Sequence, residues 1–135
     1  MTNLKLNRFE TCDYAMISQE GKLSIIGLFD SIFVRSLPAQ HPSMCFVVVA
    51  KGEPGSNHKL KLVTAGPSGK KINEIPINIK TNTEGHFNVI ATLNNLPITE
   101  QGVLTIDCFD GDKKIGTKEV VISMAPQLQG SKVKN

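Results

Sequence analysis

A chain of 135 residues, 40% hydrophobic and 20% charged, falls in the size and composition range of one folded globular domain and outside the polar, highly charged class that stays disordered. Its net charge of +3 comes from 15 basic and 12 acidic residues; the lysines are scattered, and with one Tyr and no Trp they form no basic face interleaved with stacking aromatics, which argues against nucleic acid as a partner. The longest apolar run, Met44 to Ala50, is far short of the roughly 20 residues of a membrane-spanning helix, and the first residues lack the basic-then-apolar order of a secretory signal, so the expectation is a cytoplasmic protein with no membrane partner.

Apolar residues recur with period two and nowhere hold helical spacing for three turns, so the chain reads as all-β. Arg8 to Ile17 is the first expected strand and Leu23 to Ile26 the second, joined through Ser18-Gln-Glu-Gly21 into a hairpin centred near Glu20. Gly27 interrupts the second run, as glycines at bulges or close backbone approaches do, and Ser31 to Val34 is expected to continue the same strand. Leu37-Pro-Ala-Gln-His-Pro42 reads as a proline-bracketed crossover between sheets. Ser43 to Lys51, with its unbroken apolar series, is expected to be a central strand covered on both faces.

Beyond the turn cluster Gly52-Glu-Pro-Gly-Ser-Asn57, His58 to Thr64 alternates Leu60 and Leu62 against Lys59 and Lys61. Glu74 to Lys80 alternates Ile75, Ile77 and Ile79 against Pro76 and Asn78, and Pro76, lacking a ladder donor, predicts an edge strand. Phe87 to Leu93 supplies another strand. Val103 to Phe109 and Ile115 to Met124 are joined through Asp110-Gly-Asp-Lys113, read as an Asp-Gly hairpin turn. Seven to nine short strands so spaced predict an immunoglobulin-like antiparallel β-sandwich over residues 1–126, with a small β-barrel as the alternative. Residues 127–135 keep neither period and are expected to be a flexible C-terminal tail.

Cys12-Asp-Tyr-Ala15, Gly21-Lys-Leu-Ser-Ile-Ile-Gly-Leu-Phe-Asp30, His41-Pro42 and the closing hairpin between Gly102 and Val121 resemble a family of small uncharacterised bacterial proteins, domain-of-unknown-function family 6941, over roughly residues 8–124. The resemblance implies a compact bacterial β-sandwich and carries over no catalytic residues.

The chemistry-bearing residues form no recognisable catalytic set. Cys12, Cys45 and Cys108 contain no CxxC pair and lie in apolar stretches, so they are expected to be reduced, buried thiols. His41, His58 and His86 lack zinc-ligand spacing relative to them. Asp107, Asp110 and Asp112 offer one loop's worth of carboxylates beside Lys113 and Lys114, better suited to a hairpin than to calcium. Gly66-Pro-Ser-Gly-Lys70 is a turn without the spacing or helix of a phosphate loop. No cofactor and no metal are expected. Asp13, Tyr14, Asp30 and His41 remain as polar contacts of a ligand or partner surface. For Asp13 a structural role weighs more: it falls opposite Gly27, where its carboxylate could accept backbone hydrogen bonds at a bulge.

The expected function is therefore a non-enzymatic binding or protein-interaction module, using a sheet edge such as the Pro76 strand or an end loop such as Gly52 to Asn57, with a protein partner or a second copy. A small hydrolase or metal-dependent enzyme built from distant converging residues, and a structural subunit of a bacterial or phage assembly, are the alternatives.

Overall fold

The computed structural model describes residues 3–125; the expected tail at 127–135 lies outside them. Nine strands run in order: β1 (Lys5–Ile17), β2 (Leu23–Leu28), β3 (Ser31–Val34), β4 (Ala39–Lys51), β5 (Asn57–Ala65), β6 (Lys71–Lys80), β7 (His86–Ile98), β8 (Gly102–Asp110) and β9 (Lys113–Met124). They form a four-stranded sheet, β2-β1-β4-β7, and a five-stranded sheet, β3-β9-β8-β5-β6. Each sheet keeps two free edges, so this is an immunoglobulin-like sandwich rather than a barrel.

Side chains alternate across a strand, and the sheets close on the apolar half of that alternation. Met44, Phe46 and Val48 of β4 meet Leu60 and Leu62 of β5, Leu104 and Ile106 of β8, and Val120 and Ile122 of β9 in the main core. The intervening residues of β4, Cys45 and Val47, are buried as well, in a second cluster with Cys12, Ala15, Leu23 and Ile25. β4 is thus central and covered on both faces, as its unbroken apolar run predicts. β6 is an edge strand, with Pro76 exposed and Ile75, Ile77 and Ile79 half-buried on its inward side.

The sequence reading is corrected at four points. Ser31 to Val34 does not prolong β2: the chain changes sheet at Phe29 and Asp30, and β3 pairs in parallel with β9, Ser31 opposite Val121 and Val34 opposite Met124, so the sandwich is not wholly antiparallel. His41 and Pro42 belong to β4, not to the crossover, which is shortened to the residues before Ala39. Pro42 fits there because β1 pairs with β4 only as far as Cys12 opposite Cys45, leaving that stretch of β4 without a ladder partner on the β1 side. The hairpin turn between β8 and β9 is Gly111-Asp112 rather than Asp110-Gly111: Asp110 pairs with Lys113, and Gly111 at φ +62° takes the first central position of a II′ turn. The backbone contacts expected of Asp13 are made by Thr11 instead. Thr11, fully buried, donates its hydroxyl to the Phe29 carbonyl at 2.5 Å, and its own carbonyl accepts from the Phe29 amide at 3.1 Å.

Candidate functional site

Two regions gather the residues that could carry a function, and they lie in different parts of the sandwich. The first is the arm formed by the outer half of β1 and β2. β1 leaves β4 after Cys12 but stays paired with β2 out to Ile17 opposite Leu23. The pivot is Gly27, at φ +72° and opposite Asp13 in the register, where a left-handed residue without a Cβ is required. Ala15, Leu23 and Ile25 on one side of the arm cover Cys45 and Val47, so the arm lies against the side of β4 turned away from the main core. The other side of the arm faces solvent. There Tyr14 is 54% exposed and Ile26 59%, with Met16 close behind; Tyr14 sits directly opposite Ile26, a cross-strand pair that makes the patch continuous, and Leu28, also exposed, lies beyond the Gly27 pivot, opposite Cys12.

All four residues singled out from the sequence belong to this neighbourhood, in different roles. Tyr14 is part of the exposed apolar face. Asp13 is exposed, its carboxylate lies over Gly27, and a Cβ built there would stand 2.9 Å from the Asp13 Cγ. His41 is half-buried beneath the arm, with its ring 5.8 Å from that of Phe29. Its Nε2 is buried with no hydrogen-bond partner among the described residues. Burial lowers the His41 pKa and the nearby Asp13 charge opposes that shift, so Asp13 and His41 are brought together electrostatically. Asp30 is exposed at the change of sheet and lines a depression of about 250 Å³ with Glu10, Leu28, Phe29 and Lys118, in which Lys118 lies 3.6 Å from Glu10.

The second region was missed by sequence reasoning. At the end of the sandwich where β5 begins, Ser56 Oγ lies 2.8 Å from His58 Nε2 and His58 Nδ1 lies 2.9 Å from Asp110 Oδ2. Asp110 reaches this point because the II′ turn leaves it on β8 opposite Leu60, and because residues 56 and 58 fall on one side of an extended segment. His58 is 5% exposed. Thr81 Oγ1 accepts from the Ser56 amide at 2.8 Å and donates to the Glu53 carbonyl at 2.5 Å. That carbonyl also lies 2.7 Å from the Ser56 hydroxyl. The Glu53 carbonyl can accept from both hydroxyls, so it competes with His58 for the single Ser56 proton. The set ties the 52–57 turn, the end of β6 and the β8–β9 hairpin together.

The three thiols are buried and free. Burial, then the neighbouring Cys45, pushes the Cys12 thiol up; burial pushes Cys108 up to about 12, with Asp110 adding to it. Such thiols stay protonated and unreactive. Among the described residues no three His, Cys, Asp or Glu side chains converge to hold a metal ion, and no helix is long and apolar enough to cross a membrane.

Fold and surface together define an immunoglobulin-like sandwich with an apolar arm. The chain belongs to a family of unknown function, DUF6941, whose model matches residues 7–123. It is similar to part of the alkylpurine DNA glycosylase AlkC of Pseudomonas fluorescens, solved bound to DNA containing an abasic site analog, with TM-score 0.53 and 6% identity over 89% of this chain and 30% of that one. It is also similar to part of a β-D-glucoside glucohydrolase of Trichoderma reesei, with TM-score 0.50 and 12% identity over 90% of this chain and 19% of that one. An immunoglobulin-like protein of Pseudomonas aeruginosa matches with TM-score 0.47 and 14% identity over 89% of this chain and 96% of that one. The chain spans less than a third of either enzyme, and those likenesses show the fold alone. No curated protein matches it.

Proposed function

We propose that the protein is a non-enzymatic interaction module whose binding surface is the outer face of the β1–β2 arm. The observation that carries this reading is the exposed patch of Tyr14 and Met16 on β1 and Ile26 on β2, beside the open outer edge of β2. Water contact over such a patch is unfavourable by about 25 cal/mol per Å², and large apolar patches on soluble proteins mark binding surfaces. The other free edges are protected. β6 carries Lys71, Glu74, Pro76 and Lys80; β7 carries Pro97 and the left-handed Asn95, φ +57°; β3 is four residues long. β2, Leu-Ser-Ile-Ile-Gly-Leu, has neither charge nor proline, the devices that usually block edge pairing. Three reduced, buried thiols suit a cytoplasmic setting. The test is affinity capture from cells that encode the protein, with Ile26→Asp as the paired control. A partner held by the wild type and released by the variant supports the reading; capture that ignores the variant sinks it.

A second reading, hydrolysis, is favoured by one observation, the Ser56–His58–Asp110 relay, which has the distances and ring-nitrogen assignment of a nucleophile, its base and the base's orienting carboxylate. In that reaction the Ser56 proton moves to His58 Nε2 as Oγ bonds to an acyl carbon, and the leaving group departs with that proton. It ranks second because the Ser56 amide is committed to Thr81 and is not free to stabilise an oxyanion, usually the largest catalytic contribution. A fluorophosphonate probe that modifies the wild type and not Ser56→Ala would favour it over the first reading. No adduct at Ser56 removes it.

A further inference from the structure

Cys12 and Cys45 stand directly opposite each other in β1 and β4, at the last rung before β1 leaves that ladder. Directly opposite residues share a face of the sheet, and both side chains are buried in the small cluster beneath the arm. Across an antiparallel pair the Cα atoms are about 4.5–5.5 Å apart, whether or not the pair is hydrogen-bonded; a disulfide takes about 4.4–6.8 Å. The Cys45 Sγ turns towards β1, 3.9 Å from the Asp13 carbonyl oxygen. The two thiols are near enough that a charge on Cys45 raises the Cys12 pKa. Cys108 lies apart from them, in the main core.

We propose that Cys12 and Cys45 form a reversible cross-strand disulfide that locks the root of the arm to the sandwich. The inference is independent of what the outer face of the arm binds.

Hydrogen peroxide is the oxidant class small enough for the site. One sulfur, as its thiolate, attacks a peroxide oxygen; the O–O bond breaks, and the departing hydroxide takes up the thiol's proton as water, leaving a sulfenic acid. The second sulfur then attacks the first, the S–S bond forms, the S–O bond breaks and a second water leaves. Two thiols lose two protons and two electrons, and one peroxide becomes two waters.

The arm controls access. Ala15, Leu23 and Ile25, which cover Cys45, belong to the arm itself, and burial keeps Cys12 protonated. With the arm down the pair is inert, and oxidation proceeds slowly, through moments when the arm lifts. Once formed, the bond closes a loop that contains the whole arm and β3. A cross-link around so long a loop constrains the unfolded chain, and the arm is fastened at the point where its ladder to β4 ends.

The test is prolonged treatment of the native wild-type protein with hydrogen peroxide, followed by denaturation, alkylation of free thiols and peptide mapping by mass. One linked pair, Cys12 to Cys45, should appear, lighter by two hydrogens than the two free peptides, with Cys108 alkylated. Dithiothreitol should restore all three thiols, and C108S should behave as wild type. In the oxidised protein the amides of residues 13–17 and 23–28 should exchange about tenfold more slowly or better, as a suppressed local opening requires. The urea midpoint should rise. Thiols that stay free in the native protein overturn the pair, whether or not they link on unfolding; so does sulfinic acid at Cys12 or Cys45 without a link, or a link that includes Cys108. A Cys12–Cys45 bond that leaves exchange in the arm unchanged overturns the lock.

Discussion

Replacing Gly27 by alanine should be among the costliest single-methyl additions in this protein, for two separable reasons. At φ +72° an L-residue meets its own carbonyl, a cost of about 1–2 kcal/mol. The new Cβ would also stand 2.9 Å from the Asp13 Cγ and 3.0 Å from its Cβ, closer than ordinary contact, so Asp13 must turn or the arm must shift. Overpacking of this kind costs roughly 1–3 kcal/mol. The reduced freedom of the unfolded chain offsets up to about 1 kcal/mol. The expected loss for Gly27→Ala is thus about 2–4 kcal/mol. Asp13→Ala alone, which removes an exposed carboxylate, should stay within about 0.5 kcal/mol of wild type. The double variant keeps the backbone penalty and the 3.0 Å approach to the Cβ of residue 13 and loses only the carboxylate's share of the collision, so it should recover less than half of the deficit. Urea denaturation with a shared m-value measures all four proteins. If Gly27→Ala and the double variant lose the same amount, the Asp13 contact is not what constrains this position. A cost below about 0.5 kcal/mol for Gly27→Ala would refute the left-handed pivot itself.

Phe46→Ala, emptying a fully buried position of β4, should cost about 3–5 kcal/mol in the same assay. Asp110→Ala should cost about 1–3 kcal/mol by leaving the His58 Nδ1 buried and unpaired, with Asp110→Asn retaining part of it because an amide oxygen still accepts. Cys108 makes stability fall in alkali. Its folded pKa of about 12 lies above its ordinary value of 9.0, so its contribution is fully present below pH 9 and is lost as pH rises through 12. The slope is up to about 1.4 kcal/mol per pH unit; Cys108→Ala should remove that share of the alkaline decline, measured as the difference between the two proteins' stability curves. Exposed to a thiol reagent at pH 8, native protein should react slowly at all three cysteines and denatured protein rapidly.

Local rhythm carried most of the architecture. The unbroken run Met44 to Ala50 marks a strand apolar on both faces, Pro76 marks an edge, and the glycine before Lys22 closes a hairpin whose centre at Glu20 follows from counting. The parallel partner of β3 could not be read, because Ser31 to Val34 has the same alternation whether it continues β2 or joins another sheet. What decides it is pairing with residues about ninety positions away. Pro42 misled for a related reason: proline is barred only from stretches that need its missing donor, and β4 does not need one where β1 has diverged. Of the candidate residues, Tyr14 stood out as the one tyrosine, but the patch around it depends on which side of the arm is covered, a tertiary fact. Ser56, His58 and Asp110 converge because β5 pairs with β8 in the register that sets Asp110 opposite Leu60, a long-range pairing. The spacing of Ser56 and His58 on one side of an extended segment was the one local hint.

The parallel seam between β3 and β9 has a consequence for biosynthesis. A ribosome finishes residues 31–34 long before it reaches 121–124, so the early strands must wait, their apolar sides unsheltered, until the final hairpin emerges. Non-local closure of this kind slows folding and lengthens exposure to aggregation. A nascent chain released before Val121 therefore offers chaperones the edge of β3 and the floor of the core beneath it, which makes the last strand the step that commits the newborn protein to its native state.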